Sequence, residues 1–136
     1  MNLTFLDAGV LIAAIRGNSE VARRAFEVLN DPERCFASSG FVRLEVLPKA
    51  VFHRQREEVA FYEAYFRGVD RWADADPEVL ESALVLGSKN GLAALDALHG
   101  AAALAVNASE IITTEKSGKP LHRLTSIKVT TIHPGE

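Results

Sequence analysis

Short apolar runs alternate with stretches of helical period along the whole chain. Leu3 to Leu6 is a compact apolar run that stops at Asp7, and Val10 to Ile15 carries helical apolar density until Arg16-Gly17-Asn18 interrupts it. A strand followed by a helix is predicted. Ser19 suits the N-cap of a second helix, in which Val21, Ala22, Ala25, Phe26, Val28 and Leu29 fall at helical spacing before Asn30-Asp31-Pro32 ends it. Arg34 to Ala37 follows as a second strand. Ser38-Ser39 then offers a cap for a helix through Phe41, Val42, Leu44, Val46 and Leu47, which carries Glu45 and meets a bend at Pro48.

A longer amphipathic helix spans Arg54 to Arg67, and a third short strand falls between Val69 and Ala73. Asp76-Pro77-Glu78 opens a helix that runs to Lys89 and stops at Asn90-Gly91. Leu92 to Val106 is the most apolar helix, and its small residues imply burial against a sheet. Ile111 to Thr114 and Ile127 to Ile132 read as the last two strands, with a loop at Glu115 to Pro120 between them. Helices separating short β-rich runs predict an α/β fold of three layers, α/β/α, with a mostly parallel central sheet. The 136 residues read as one domain.

Composition narrows the function. A hydrophobic content of 48% supports a buried core, and no stretch is dominated by Pro, Gly or Ser. The start lacks a cationic leader, and the run from Leu92 to Val106 is interrupted by Asp96 and His99 and is shorter than the roughly 20 apolar residues of a bilayer span. A soluble protein is expected. The lone Cys35 excludes an internal disulfide and points to a reducing, cytoplasmic compartment. A net charge of -3 is unusual for a protein that holds a polyanion. If four acids share one metal pocket, however, the rest of the chain is slightly basic.

Four acids stand out. In an open parallel sheet, ligand sites gather beyond the carboxyl ends of the strands. Asp7 ends the first strand, Glu45 lies shortly after the second, and Glu115 follows the strand at Ile111 to Thr114. Asp96 interrupts an apolar helix, where a carboxylate is costly unless it is paired, hydrogen-bonded or bound to metal. Clustered carboxylates raise one another's pKa, so such a set points to a hard cation, Mg²⁺ or Mn²⁺. A cation of this kind activates water for in-line attack on a phosphodiester without a Ser, His or Cys nucleophile.

Four segments together resemble the PIN domain family, in particular the VapC-like toxin ribonucleases. Phe5-Leu6-Asp7-Ala8-Gly9-Val10-Leu11-Ile12 resembles the first-strand motif, and Ser38 to Val46 the helix bearing the family Glu. Leu95 to Ala103 resembles the helix bearing the family Asp, and Ile111-Ile112-Thr113-Thr114-Glu115 the last acidic strand end. The resemblance implies a PIN-like fold and metal-dependent cleavage of RNA by Asp7, Glu45, Asp96 and Glu115. It also implies a homodimer and a co-encoded antitoxin protein. Thr113 matches a position whose hydroxyl supports the site. Two positions depart from the pattern: Ala8-Gly9 stands where a small polar pair is usual, and Glu115 where Asp is usual.

Those departures motivate an alternative, a PIN-like RNA- or protein-binding regulatory module with weak or no catalysis. A receiver-type phosphoryl-transfer domain ranks lower, since the second acid of its pair is missing after the first strand. His99 lies on the face of Asp96, yet a packing role is favoured for it. His53, His122 and His133 have no motif context. Arg43, Lys49, Arg54, Arg56, Arg67 and Arg71 are interspersed with Phe52, Phe61, Tyr62, Tyr65 and Phe66, a mixture suited to RNA. The favoured reading makes the aromatics core or interface and the charges a solvated face balanced by Glu57, Glu58 and Glu63.

Overall fold

A computed structural model describes residues 1–17 and 19–135, with the Ser19 side chain also outside the description. Its elements in chain order are β1 (Asn2–Leu6), α1 (Ala8–Arg16), α2 (Ser19–Leu29), β2 (Arg34–Ser39), α3 (Gly40–Phe52) and α4 (Arg56–Arg67). They continue with β3 (Arg71–Ala73), α5 (Pro77–Asn90), α6 (Ala94–Ala105), β4 (Glu110–Thr113), a 3₁₀ turn at Pro120–Arg123 and β5 (Lys128–Thr131). The capping expected of Ser19 lies outside the described residues.

The strands form one sheet in the order β3-β2-β1-β4-β5, and every pairing is parallel. The chain winds outward from β1 to β3, then returns past β1 to start β4. Right-handed crossovers in opposite directions place their helices on opposite faces, which gives the three layers. The reversal leaves a switch point between the carboxyl ends of β1 and β4. Asp7 and Thr113 sit there.

Burial follows from this enclosure. Phe5, Leu6, Leu11, Ile111 and Ile112 are fully or almost fully buried, and each such side chain contributes about 1.5–3 kcal/mol of transfer free energy. Around α6 the packing is closer because its inward residues are small: Ala97, Gly100, Ala101, Ala102 and Ala103 are buried. A Cβ at Gly100 would lie 3.1 Å from Leu124 Cδ1, so the loop after β4 rests directly on that helix.

Boundaries moved where local chemistry outweighed periodicity. β2 extends through Ser39 before α3 begins, and the Ser39 side chain accepts the Val42 amide at 3.4 Å as its cap. Helix α3 continues four residues past Pro48, whose ring faces solvent. At the end of α5, Gly91 adopts a left-handed φ of 68° and stops the helix. Helix α6 starts at Ala94, not Leu92, so Asp96 falls in its first turn rather than within the apolar body. There the amide-rich end of the helix favours a carboxylate.

The aromatic segment behaves mainly as core. Tyr62 and Phe66 are buried and Phe61 and Tyr65 pack against the core, while Phe52 is exposed. Glu58 departs from the expected solvated face. It is 8% exposed, and it accepts hydrogen bonds from Tyr62 at 2.7 Å and Arg16 at 3.0 Å, tying α4 to the end of α1.

The amino edge of the sheet carries a fully paired acid. Glu110 accepts from Arg34 Nη1 at 2.6 Å, Thr130 Oγ1 at 2.9 Å and Asn2 Nδ2 at 3.2 Å. Burial raises its pKa, and the hydrogen bonds from Arg34 and Thr130 outweigh that effect, so the carboxyl ends below its ordinary range. These bonds join β1, β2, β4 and β5. Among the described residues no helix is long and apolar enough to cross a membrane.

Candidate metal centre

The opposite edge of the sheet gathers the acids. Asp7 follows β1 directly, and its amide donates to the Ile112 carbonyl at 3.0 Å, which extends the β1–β4 pairing by one step. Its Oδ1 accepts the Gly9 amide at 3.4 Å and caps α1, while Oδ2 accepts the Thr113 hydroxyl at 2.8 Å. Both oxygens are oriented by neighbours.

The same Thr113 oxygen accepts the Glu115 amide at 3.1 Å. One hydroxyl therefore connects the Asp7 carboxylate to the backbone of the loop that carries Glu115. His122 grips that loop from the other side, with Nε2 donating to the Glu115 carbonyl at 3.0 Å.

Glu45 lies at the border of the buried face of α3, one step from Val42 and Val46. Its Oε1 shares a hydrogen bond with His99 Nε2 on α6. His99 is 1% exposed and leans on the Phe5 ring. One ligand atom from each of Asp7, Glu45 and His99 lies within 4.8 Å of the others, a separation one cation can bridge.

Asp96 and Glu115 complete the electrostatics. Burial pushes the Asp96 carboxyl above its ordinary range, repulsion from Asp7, Glu115 and Glu45 adds to this, and His99 opposes it. Asp96 thus feels the charges of the other three acids. A carboxyl destabilised in its charged form by like neighbours is what a cation would relieve. The donor set thus fits a divalent metal, with Asp7 and Glu45 placed for one ion to bridge and Asp96 and Glu115 adding negative charge.

The PIN domain family model matches residues 4–119. The chain belongs to the PIN domain family. Solved structures agree on the fold: VapBC2 from Rickettsia felis bound to a DNA fragment from their promoter aligns with a TM-score of 0.72 at 15% identity, covering 95% of this chain and 98% of that one. A toxin-antitoxin complex from Klebsiella pneumoniae gives 0.71 at 19% identity, covering 96% and 98%. VapBC-1 from nontypeable Haemophilus influenzae gives 0.66 at 19%, with the same coverage. Among curated proteins the sequence has no match.

Two site features of this PIN domain escaped the sequence reading. His99 is a buried packing residue, as expected, but it also reaches Glu45. Its i,i+3 spacing from Asp96 was the available signal. In the sequence Gly9 shows only a missing polar group. A Cβ there would lie 2.5 Å from Thr114 Oγ1, so the Thr114 hydroxyl occupies the space a side chain at position 9 would need.

Proposed function

We propose that this PIN domain is a divalent-metal-dependent endoribonuclease and the toxin of a toxin-antitoxin pair. The reading is supported by donors of Asp7, Glu45 and His99 lying within 4.8 Å of one another at the sheet's switch point, with Asp96 and Glu115 adding negative charge to the same edge. Bound Mg²⁺ or Mn²⁺ supplies Lewis acidity for hydrolysis of an RNA phosphodiester. Asp7 and Glu45 would hold the ion, with Thr113 and His99 fixing their orientations, and Asp96 and Glu115 would complete its acidic surroundings.

RNA as substrate is supported by cations on the segment around and after Glu45. Arg43, Lys49, Arg54 and Arg56 are all exposed on α3, the turn after it and the start of α4, where they would be open to phosphate oxygens. An antitoxin and a second copy of the chain are supported by apolar surface. Leu44 and Phe52 on α3 and Leu80, Leu84 and Val85 on α5 are exposed, and α5 borders an apolar groove of about 530 Å³. We place the protein in the cytoplasm as a single domain, with Cys35 a free thiol.

The deciding experiment incubates purified protein with Mg²⁺ or Mn²⁺ and a broad RNA panel. Cutting that needs the metal and disappears in Asp7→Asn is expected. Absence of cutting by wild-type protein that binds Mn²⁺ sinks the nuclease reading in favour of a binding module. Light scattering of the protein alone, and with any small protein encoded beside it, reads the dimer and the antitoxin.

A further inference from the structure

We propose that His99 is a positioning residue for the metal centre: it donates its Nε2 proton to Glu45 and holds that carboxylate toward Asp7, and it does not itself bind the ion. The inference rests on the metal-dependent reading above and adds the residue that orders the site. Three observations lead to it.

The imidazole is 1% exposed and wedged against Phe5, so its ring orientation is set by packing. Its Nε2 is hydrogen-bonded to Glu45 Oε1. Its Nδ1 is buried with no hydrogen-bond partner among the described residues.

The third observation decides between the two roles. A neutral imidazole carries one proton, on one nitrogen or the other. Metal ligation through Nε2 requires that proton on Nδ1, and metal-bound histidines almost always donate the distal N–H to a carboxylate, a carbonyl or water. Here Nδ1 meets no carboxylate or carbonyl among the described residues, and a buried N–H without a partner is strongly disfavoured, whereas a bare ring lone pair is tolerated better. The proton therefore sits on Nε2, facing Glu45. With Nε2 protonated it offers no lone pair, so the ion sees oxygen donors only, which suits a hard cation.

Glu45 needs such a partner. It projects from α3, while Asp7 is anchored to the sheet, so their separation depends on how α3 packs beside the sheet and α1. His99 bridges α3 and α6 beside the ligands. It does for Glu45 what Thr113 does for Asp7.

The test reads the metal, not RNA. Long-range ¹H–¹⁵N NMR of the metal-free protein is expected to show His99 protonated on Nε2, and a proton on Nδ1 overturns the proposal. Calorimetric titration with Mn²⁺ is expected to show His99→Phe, which keeps the packing volume, binding about 10- to 100-fold more weakly. His99→Gln, whose amide reaches the position of Nε2, restores most of the affinity, and His99→Asn, whose amide falls short, does not. Equal affinity in wild type and His99→Phe overturns the proposal, as does failure of Gln to differ from Phe. Pulsed EPR of the Mn²⁺ complex is expected to lack a directly coordinated imidazole ¹⁴N, and its presence makes His99 a ligand. Wild-type protein that binds Mn²⁺ and cuts no RNA would defeat the nuclease reading and leave this one intact.

Discussion

Strand β4 carries an acid toward each edge of the sheet, and the two are treated in opposite ways. At its start, Glu110 is almost entirely buried and meets Arg34, Thr130 and Asn2. Just past its end, Glu115 joins Asp7, Glu45 and Asp96, and among the described residues no Lys or Arg is ion-paired with any of these four. Pairing holds the first carboxyl below its ordinary pKa, whereas burial and crowding hold Asp96 above its own. One edge spends its charge on stability. The other keeps it available, and the fold bears the repulsion because sheet pairing and the buried core exceed it.

The largest effect that separates the edges is on catalysis. Asp96→Asn is expected to lower metal-dependent RNA cutting by about 100-fold or more while raising the melting temperature of the metal-free protein by a few degrees. The gain follows from the sign of the shift: a raised folded-state pKa means that ionised Asp96 opposes folding. Cleavage assays beside calorimetric melting check both. A variant that loses stability and activity together would remove the contrast.

Glu110→Ala should show the reverse. Arg34 loses its buried partner but keeps Asp31 at 3.1 Å, so a cost of about 2–4 kcal/mol is expected, somewhat below that of breaking a fully buried pair. Urea unfolding measures it. Activity of the folded fraction should remain.

Gly9→Ala tests packing at the active edge. Its Cβ meets Thr114 Oγ1 at 2.5 Å, and relieving that overlap should cost about 1–3 kcal/mol. Thr114→Ala in the same chain should recover most of the loss, and a double-mutant cycle reads the coupling. Additive effects would show that the two side chains do not compete for the space.

The smallest effect is the acid response. Because the folded-state pKa of Glu110 is lowered, its contribution is fully present above the ordinary Glu pKa and is lost as pH falls through the lowered value. The urea midpoint should fall on that acid side, and less steeply in Glu110→Gln. Parallel curves for the two proteins would assign the fall to other carboxyls.

Most of the architecture was readable from single residues with local consequences. Gly91 ends α5 because it alone takes a left-handed φ without strain, and Asp76-Pro77 opens that helix by capping and a preset φ. The strands were read from apolar runs, with ends displaced by one or two residues where pairing continued beyond the run, as at Ser38-Ser39. Asp96 stands out in the sequence as an acid within an apolar run, and the structure gives its placement a different reason. It lies in a helix's first turn, where a carboxylate is favoured by the backbone.

Periodicity, capping and the order of four acidic segments determined the element types, the parallel α/β class and the PIN family, because these depend on residues close in sequence. The tertiary structure alone decided that His99 reaches Glu45 across 54 positions and that Thr113 reaches Asp7 across 106. It also decided that Thr114 fills the space left by Gly9, and that Glu58 is a buried partner rather than a surface charge. A hydrogen bond or a steric overlap is settled within a few tenths of an ångström, and between distant residues that precision arises only once the sheet and its helices have packed.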